Sequence, residues 1–234
     1  MYPTLFDGVP SYGVFRVLSF AFAAWLLVFT ARRYAESDRA AVQLAVALCL
    51  GSFLGGRGGW VLLNLDQPGS FFSGGFVAFT AFLGGAIFLL VTALVLGRHV
   101  GAAFDLVTPS VVGAWAVGNI GCFLAGCCAG APTSLPWAVR FADGVPSHPI
   151  QLYAALFEVL ALAALFALPR KFRGELTLRA IAYLLLMRLT LWLTGTYRGS
   201  VLVALVEATV FVATAALILL LAGRSVTPRT ATPA

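Results

Sequence analysis

Charge is scarce in this chain. Lys, Arg, Asp and Glu make up 10% of its 234 residues, while 61% are hydrophobic. A soluble domain needs a charged, mixed surface. With a mean hydropathy of +0.96 and repeated long apolar runs, the composition is that of a membrane protein. The net charge of +6 does not point to nucleic acid, because no basic stripe with interleaved aromatics is present. No period suggests a repeat array or an inverted-repeat transporter. A small-residue cleavage site is missing after the first apolar run, which starts late and ends in Arg32 and Arg33, so it does not read as a signal peptide. No histidine sits at ligand spacing from the cysteines clustered at 122–128, so no metal and no other cofactor is expected.

What is present is a series of apolar stretches at about 14–31, 40–63, 73–97, 106–129, 149–168, 177–194 and 201–222. Each approaches the ~20 residues that a spanning helix needs, allowing for tilt. They are too long and continuous for barrel strands. The expected fold is therefore all-α: a polytopic membrane protein with about seven transmembrane helices, one domain over 1–222 and a disordered tail at 223–234. If the chain crosses seven times, Arg32, Arg33, Arg39, Arg98, Arg170, Lys171, Arg173, Arg179, Arg224 and Arg229 fall on one side. The other side keeps Arg140 and Arg198, with Arg16, Arg57 and Arg188 inside segments. The positive-inside rule then puts the N-terminus outside and the C-terminus in the cytoplasm.

Arg57, Asn119, Glu158 and Arg188 interrupt these stretches. A charge at bilayer depth costs roughly 2.5–3.5 kcal/mol on the lenient insertion scales. Such groups must face one another, a wet cavity or a lipid headgroup. Arg57 sits in Gly51-Ser-Phe-Leu-Gly-Gly-Arg-Gly-Gly59, where small residues at four-residue spacing let helices approach. Its guanidinium either snorkels to the interface or takes a headgroup phosphate. Gln151 and Glu158 are seven apart and share one helix face. Arg188 is a partner for Glu158, an anion site, or both. Pro149 suits a first helical position, and Trp137 and Phe141 suit an interfacial belt. Cys127 and Cys128, near the outer end of the fourth segment, are open to three readings: a disulfide partner, small soft packing, or a nucleophile.

The order of features resembles the prolipoprotein diacylglyceryl transferase family. The similar stretches are Tyr12-Gly13, Gly56-Arg57-Gly-Gly-Trp-Val-Leu-Leu-Asn64, Gly74-Gly-Phe-Val-Ala-Phe-Thr-Ala-Phe-Leu-Gly-Gly85, Gly118-Asn-Ile-Gly-Cys-Phe123, Pro136-Trp137 and His148-Pro-Ile-Gln-Leu-Tyr153. A helix bearing Tyr183 and Arg188 follows. The resemblance runs from about residue 10 to 222, and it implies a seven-helix enzyme of the bacterial inner membrane. It also implies transfer of diacylglyceryl from phosphatidylglycerol to the cysteine thiol of a lipoprotein-precursor peptide, with glycerol phosphate leaving.

Carried over by position, Arg57 and Arg188 would hold the phosphate, and Tyr12, Gln151 and Tyr153 would line the polar chamber with Asn119 and Glu158. His148 stands near the mouth as an acid or base. Arg188, His148, Cys127 and Cys128 are the candidates for catalysis. Several family positions are changed. Phe79 stands where the family has His, Asn119 where it has its signature Arg, and Trp192 where a Glu usually follows on the sixth helix. Cys122, Ala125 and Cys127 replace the two Asn residues and the Glu of the signature. The expected function is this diacylglyceryl transfer or a related glycerophospholipid transfer, and the alternative is a non-catalytic lipid-binding or accessory membrane protein on the same scaffold.

Overall fold

The computed structural model describes residues 4–5, 8–34, 36–65 and 78–196, with single positions 205, 208, 209, 212 and 216. Apart from those positions, the expected seventh segment at 201–222 lies outside the described residues. So do the tail at 223–234, Arg198 and the pair Gly74-Gly75. The described chain is largely helical. Its helices are α1 (Ser11–Arg33), α2 (Asp38–Leu63), α3 (Ala78–Val95), α4 (Val100–Ala125), α5 (Ile150–Ala167) and α6 (Glu175–Leu193). Two minimal antiparallel hairpins accompany them: β1 (Thr4–Leu5) with β2 (Val9–Pro10), and β3 (Val139–Arg140) with β4 (Pro146–Ser147).

Five of these helices, α1, α2, α4, α5 and α6, are long and apolar enough to cross a membrane, and α3 carries a shorter apolar stretch, Thr80–Val95. Helices are the natural outcome for such runs, since lipid offers no partner for a backbone N–H or C=O. Local signals set the ends. The Ser37 hydroxyl accepts from the Ala40 N–H at 3.3 Å and Asp38 stands in the first turn of α2, an N-cap complementing the helix dipole. At the far end of α4 the backbone turns left-handed at Gly126 (φ +77°), a common helix stop.

The boundaries differ from the sequence reading in two places. Helix α4 begins at Val100 and not near 106: Asp105 and Pro109, a residue pair beside that expected start that favours a helix opening, lie buried within it. Proline is tolerated in spanning helices when neighbours satisfy the freed backbone. Helix α3 is described from Ala78, and the expected start at 73 lies outside the described residues. Pro149 is the residue just before α5 (φ −77°), so it stands at the N-cap and not at the first helical position.

The chain divides into two compact units, residues 27–107 and residues 1–26 with 108–234. In the first, α2 and α3 surround a core of Ala31, Ala41, Leu44, Leu89, Ala93, Ala103, Leu106 and Val107. Their facing surfaces are glycine. A Cβ added at Gly55 would lie 2.2 Å from the Thr80 carbonyl oxygen, and one at Gly84 would lie 2.3 Å from that of Gly51. The backbones can meet this closely only because neither residue has a side chain. Arg98 donates to Glu36 at 2.7 Å.

In the second unit α4 receives the start of α1 on small residues: Phe22 and Leu26 lie against Gly113, and Phe15 against Gly121. The hydroxyls of Thr108 and Thr177 share a hydrogen bond of 2.9 Å, which ties α4 to α6. The turn between α5 and α6 is fastened by the buried Glu175, which accepts from the backbone of Lys171 and Phe172 and pairs with Arg179.

Candidate functional site

Helix α5 has two faces. Gln151, Ala155, Glu158, Ala161 and Leu165 are buried, spaced three to four residues apart as one helical stripe requires. Leu152, Leu156, Val159 and Leu160 are exposed and form the face suited to lipid. Two of the five buried positions are polar, and each is met from the end of α4.

Glu158 is 1% exposed. The Asn119 amide nitrogen donates to both of its carboxylate oxygens, at 3.0 and 2.9 Å. A carboxylate buried without such donors would cost several kcal/mol. Two turns toward the start of α5, the Gln151 amide nitrogen donates to the Cys127 carbonyl. Its Oε1 is buried and has no hydrogen-bond partner among the described residues. An orphaned buried acceptor costs about 1–3 kcal/mol, and it stands ready to receive a donor such as a hydroxyl or thiol.

The segment before α5 adds an aromatic and imidazole cluster. The Tyr153 hydroxyl accepts from the Trp137 indole at 2.8 Å and lies 3.3 Å from His148 Nδ1. The rings of His148 and Tyr153 meet edge to face at 6.0 Å. The backbone fixes this place: the His148 N–H donates to the Ala131 carbonyl, and its carbonyl accepts from Gly130. Trp137 is exposed, as an interfacial residue should be. Phe141, expected beside it at the interface, is instead buried against Phe123 at the end of α4, where it anchors the β3–β4 hairpin.

Tyr12, at the start of α1, accepts from Arg16 at 2.7 Å, and that guanidinium also lies over the Tyr12 ring at 5.2 Å. The contact of Arg16 with Tyr12 was missed by sequence reasoning. The signal was there, since residues four apart on a helix are neighbours. The pairing of Asn119 with Glu158 and the indole of Trp137 were also missed, for no local spacing encodes contacts between elements. Arg188 is half-buried on α6 in the same unit, and Arg57 is half-buried on α2 in the other. Phe79 lies in the first turn of α3. Cys127 is disulfide-bonded to Cys122, with Cα atoms 5.5 Å apart, and Cys128 is exposed and carries a free thiol.

A buried carboxylate, two amides, a histidine and an arginine within one apolar unit is polar machinery inside a membrane protein, and comparison with known proteins identifies its family. The family profile for prolipoprotein diacylglyceryl transferase matches residues 5–224. The phosphatidylglycerol–prolipoprotein diacylglyceryl transferase of Clostridium tetani is 33% identical over 73% of this chain and 75% of its own length. That of Pasteurella multocida is 33% identical over 68% of this chain and 65% of its own length. That of Azoarcus is 34% identical over 74% of this chain and 72% of its own length. With its apolar helices and the match spanning nearly its whole length, this multi-pass membrane protein belongs to the prolipoprotein diacylglyceryl transferase family.

Proposed function

We propose that this chain transfers a diacylglyceryl group from phosphatidylglycerol to the cysteine thiol of a lipoprotein-precursor peptide. The names of its relatives supply donor and acceptor. The observation that carries the reading is the polar stripe of α5, with Glu158 closed by Asn119 and the free Gln151 Oε1 buried beside the Cys127 carbonyl.

In this reading the thiol sulfur attacks the glyceryl carbon, the carbon–oxygen bond to phosphate breaks, and glycerol phosphate leaves. Arg188 takes the phosphate, since a guanidinium matches its oxygens with two donors, and Arg57, on the other unit, is a separate phosphate candidate by the same chemistry. His148, oriented by Tyr153, accepts the thiol proton. Gln151 Oε1 receives a hydrogen bond from the incoming group, and Tyr12 with Arg16 flanks the chamber. Cys128 offers a second thiol near this place, whereas Cys127 holds none while bonded to Cys122. Asn119 holds the Glu158 carboxylate in place.

The same reading has the chain crossing the bacterial inner membrane seven times as one domain over 1–222, with its N-terminus outside and a cytoplasmic tail at 223–234. The one-sided distribution of Lys and Arg supports it.

The test is expression in a bacterium depleted of its own transferase, with lipidation of a reporter lipoprotein read by gel mobility. Restored lipidation that is lost with Arg188→Ala is the expected result. No lipidation, with the protein present in the membrane, would overturn the assignment.

A further inference from the structure

The loop that follows α4 gathers three of the chain's four cysteines, and the phosphate and proton steps above use none of them. Cys122 stands on the last turn of α4. Beyond it, Gly126 (φ +77°) and Cys128 (φ +60°) both take left-handed backbone. The chain folds back over the helix end, and the Cys127 N–H donates to the Cys122 carbonyl at 3.1 Å. A residue with a Cβ is disfavoured in that conformation, so the surroundings hold Cys128 there. The Gln151 amide fixes the Cys127 carbonyl from α5. As a result the sulfur atoms of Cys122, Cys127 and Cys128 all lie within 4.8 Å of one another.

Sequence spacing gave no reason to expect a metal here, because no histidine accompanies the cysteines. The fold supplies what spacing could not, a convergence of three sulfurs on one point. Among the described residues no histidine or carboxylate joins the group. Structural zinc takes four ligands in a closed tetrahedron. Three soft thiolates with no harder partner instead suit copper(I). We propose that Cys122, Cys127 and Cys128 bind one copper(I) ion through their three thiolates when the Cys122–Cys127 bond is reduced. Reduction takes two electrons and two protons from a dithiol, which becomes a disulfide. Metal binding then releases the protons of the three thiols. Oxidised, the loop keeps one thiol and does not hold the ion. The exposed Cys128 gives the ion its way in.

The full-length protein in detergent is reduced with a phosphine, desalted without oxygen and titrated with copper(I) buffered by a chromogenic chelator. The expected result is one equivalent bound by the reduced protein and none by the unreduced protein. The plateau disappears in Cys122→Ser and in Cys128→Ser, and it is unchanged in Cys49→Ser, whose exposed thiol lies on α2. Because a misfolded variant would also lose the metal, X-ray absorption of the loaded wild-type protein is the second readout, and it should show sulfur neighbours alone. The proposal is overturned if fully reduced protein takes up no copper(I), if the absorption shows nitrogen or oxygen in place of sulfur, or if zinc is retained and copper(I) is not. None of these readouts depends on lipidation, so this site and the transferase reading fail separately.

Discussion

Two helix pairs in this molecule meet by opposite means. Helices α2 and α3 come together along glycines, with Gly55 against Thr80 and Gly84 against Gly51, so that backbone faces backbone. Helices α4 and α5 come together through polar side chains, with Asn119 on Glu158, and with Gln151 reaching the turn just past α4. Lipid provides no hydrophobic force between helices, so each pair must rely on close packing or hydrogen bonds. The glycine pair uses the first. The polar pair uses the second, and its unspent hydrogen-bonding capacity is what a reaction can draw on. Scaffold and site are thus separable by the kind of contact that builds them.

The comparison can be broken at either pair. The largest effect is expected at Gly55→Leu, where the new side chain must displace the Thr80 carbonyl. A loss of about 3 kcal/mol, at the upper end of overpacking costs, should appear as poor accumulation and a lower melting temperature in detergent. A melt unchanged from wild type would show that the seam is looser than its geometry. Next comes Glu158. Removing it by Glu158→Ala leaves the Asn119 amide without its carboxylate, at a cost of about 1–3 kcal/mol. A double-mutant cycle with Asn119→Ala should return a coupling above about 0.5 kcal/mol, and additive effects would deny the contact.

Tyr153→Phe sharpens the contrast further. It removes the acceptor for Trp137 and the neighbour of His148, so about 0.5–1.5 kcal/mol of stability is expected to go. Lipidation should fall by more than that loss explains, and proportional losses would make Tyr153 structural alone. The smallest effect belongs to Gly58→Ala. A Cβ there meets nothing within 4 Å among the described residues, so the substitution should be neutral or stabilise by up to about 1 kcal/mol through helix propensity. A destabilisation as large as that of Gly55→Leu would mean that the whole glycine run is packed.

Much of this was legible in the sequence. Apolar run lengths located every described helix, because in lipid a long run has few other ways to satisfy its backbone. The shared face of Gln151 and Glu158 followed from helical periodicity alone. What could not be read was what meets that face. Asn119 and Glu158 are 39 residues apart, and no spacing rule links two helices across that distance. Asp105 and Pro109 looked like a helix start because both are poor helix formers, yet burial among neighbours overrode propensity. The convergence of Cys122 with Cys127 and Cys128 required a left-handed turn at a cysteine, which propensity argues against. Local rules gave the elements, and contacts between elements gave the site.

The glycine seam also has a consequence for motion. Side chains that interlock between helices can change rotamer and let one helix slide past another. At Gly51, Gly55 and Gly84 there are no rotamers to change. Any relative movement of α2 and α3 must lift whole backbones apart, a slow and costly event beside picosecond to nanosecond side-chain hopping. The pair therefore travels as a single stiff plate. Arg57, two residues beyond Gly55 on that plate, is carried by a frame with little freedom to waver.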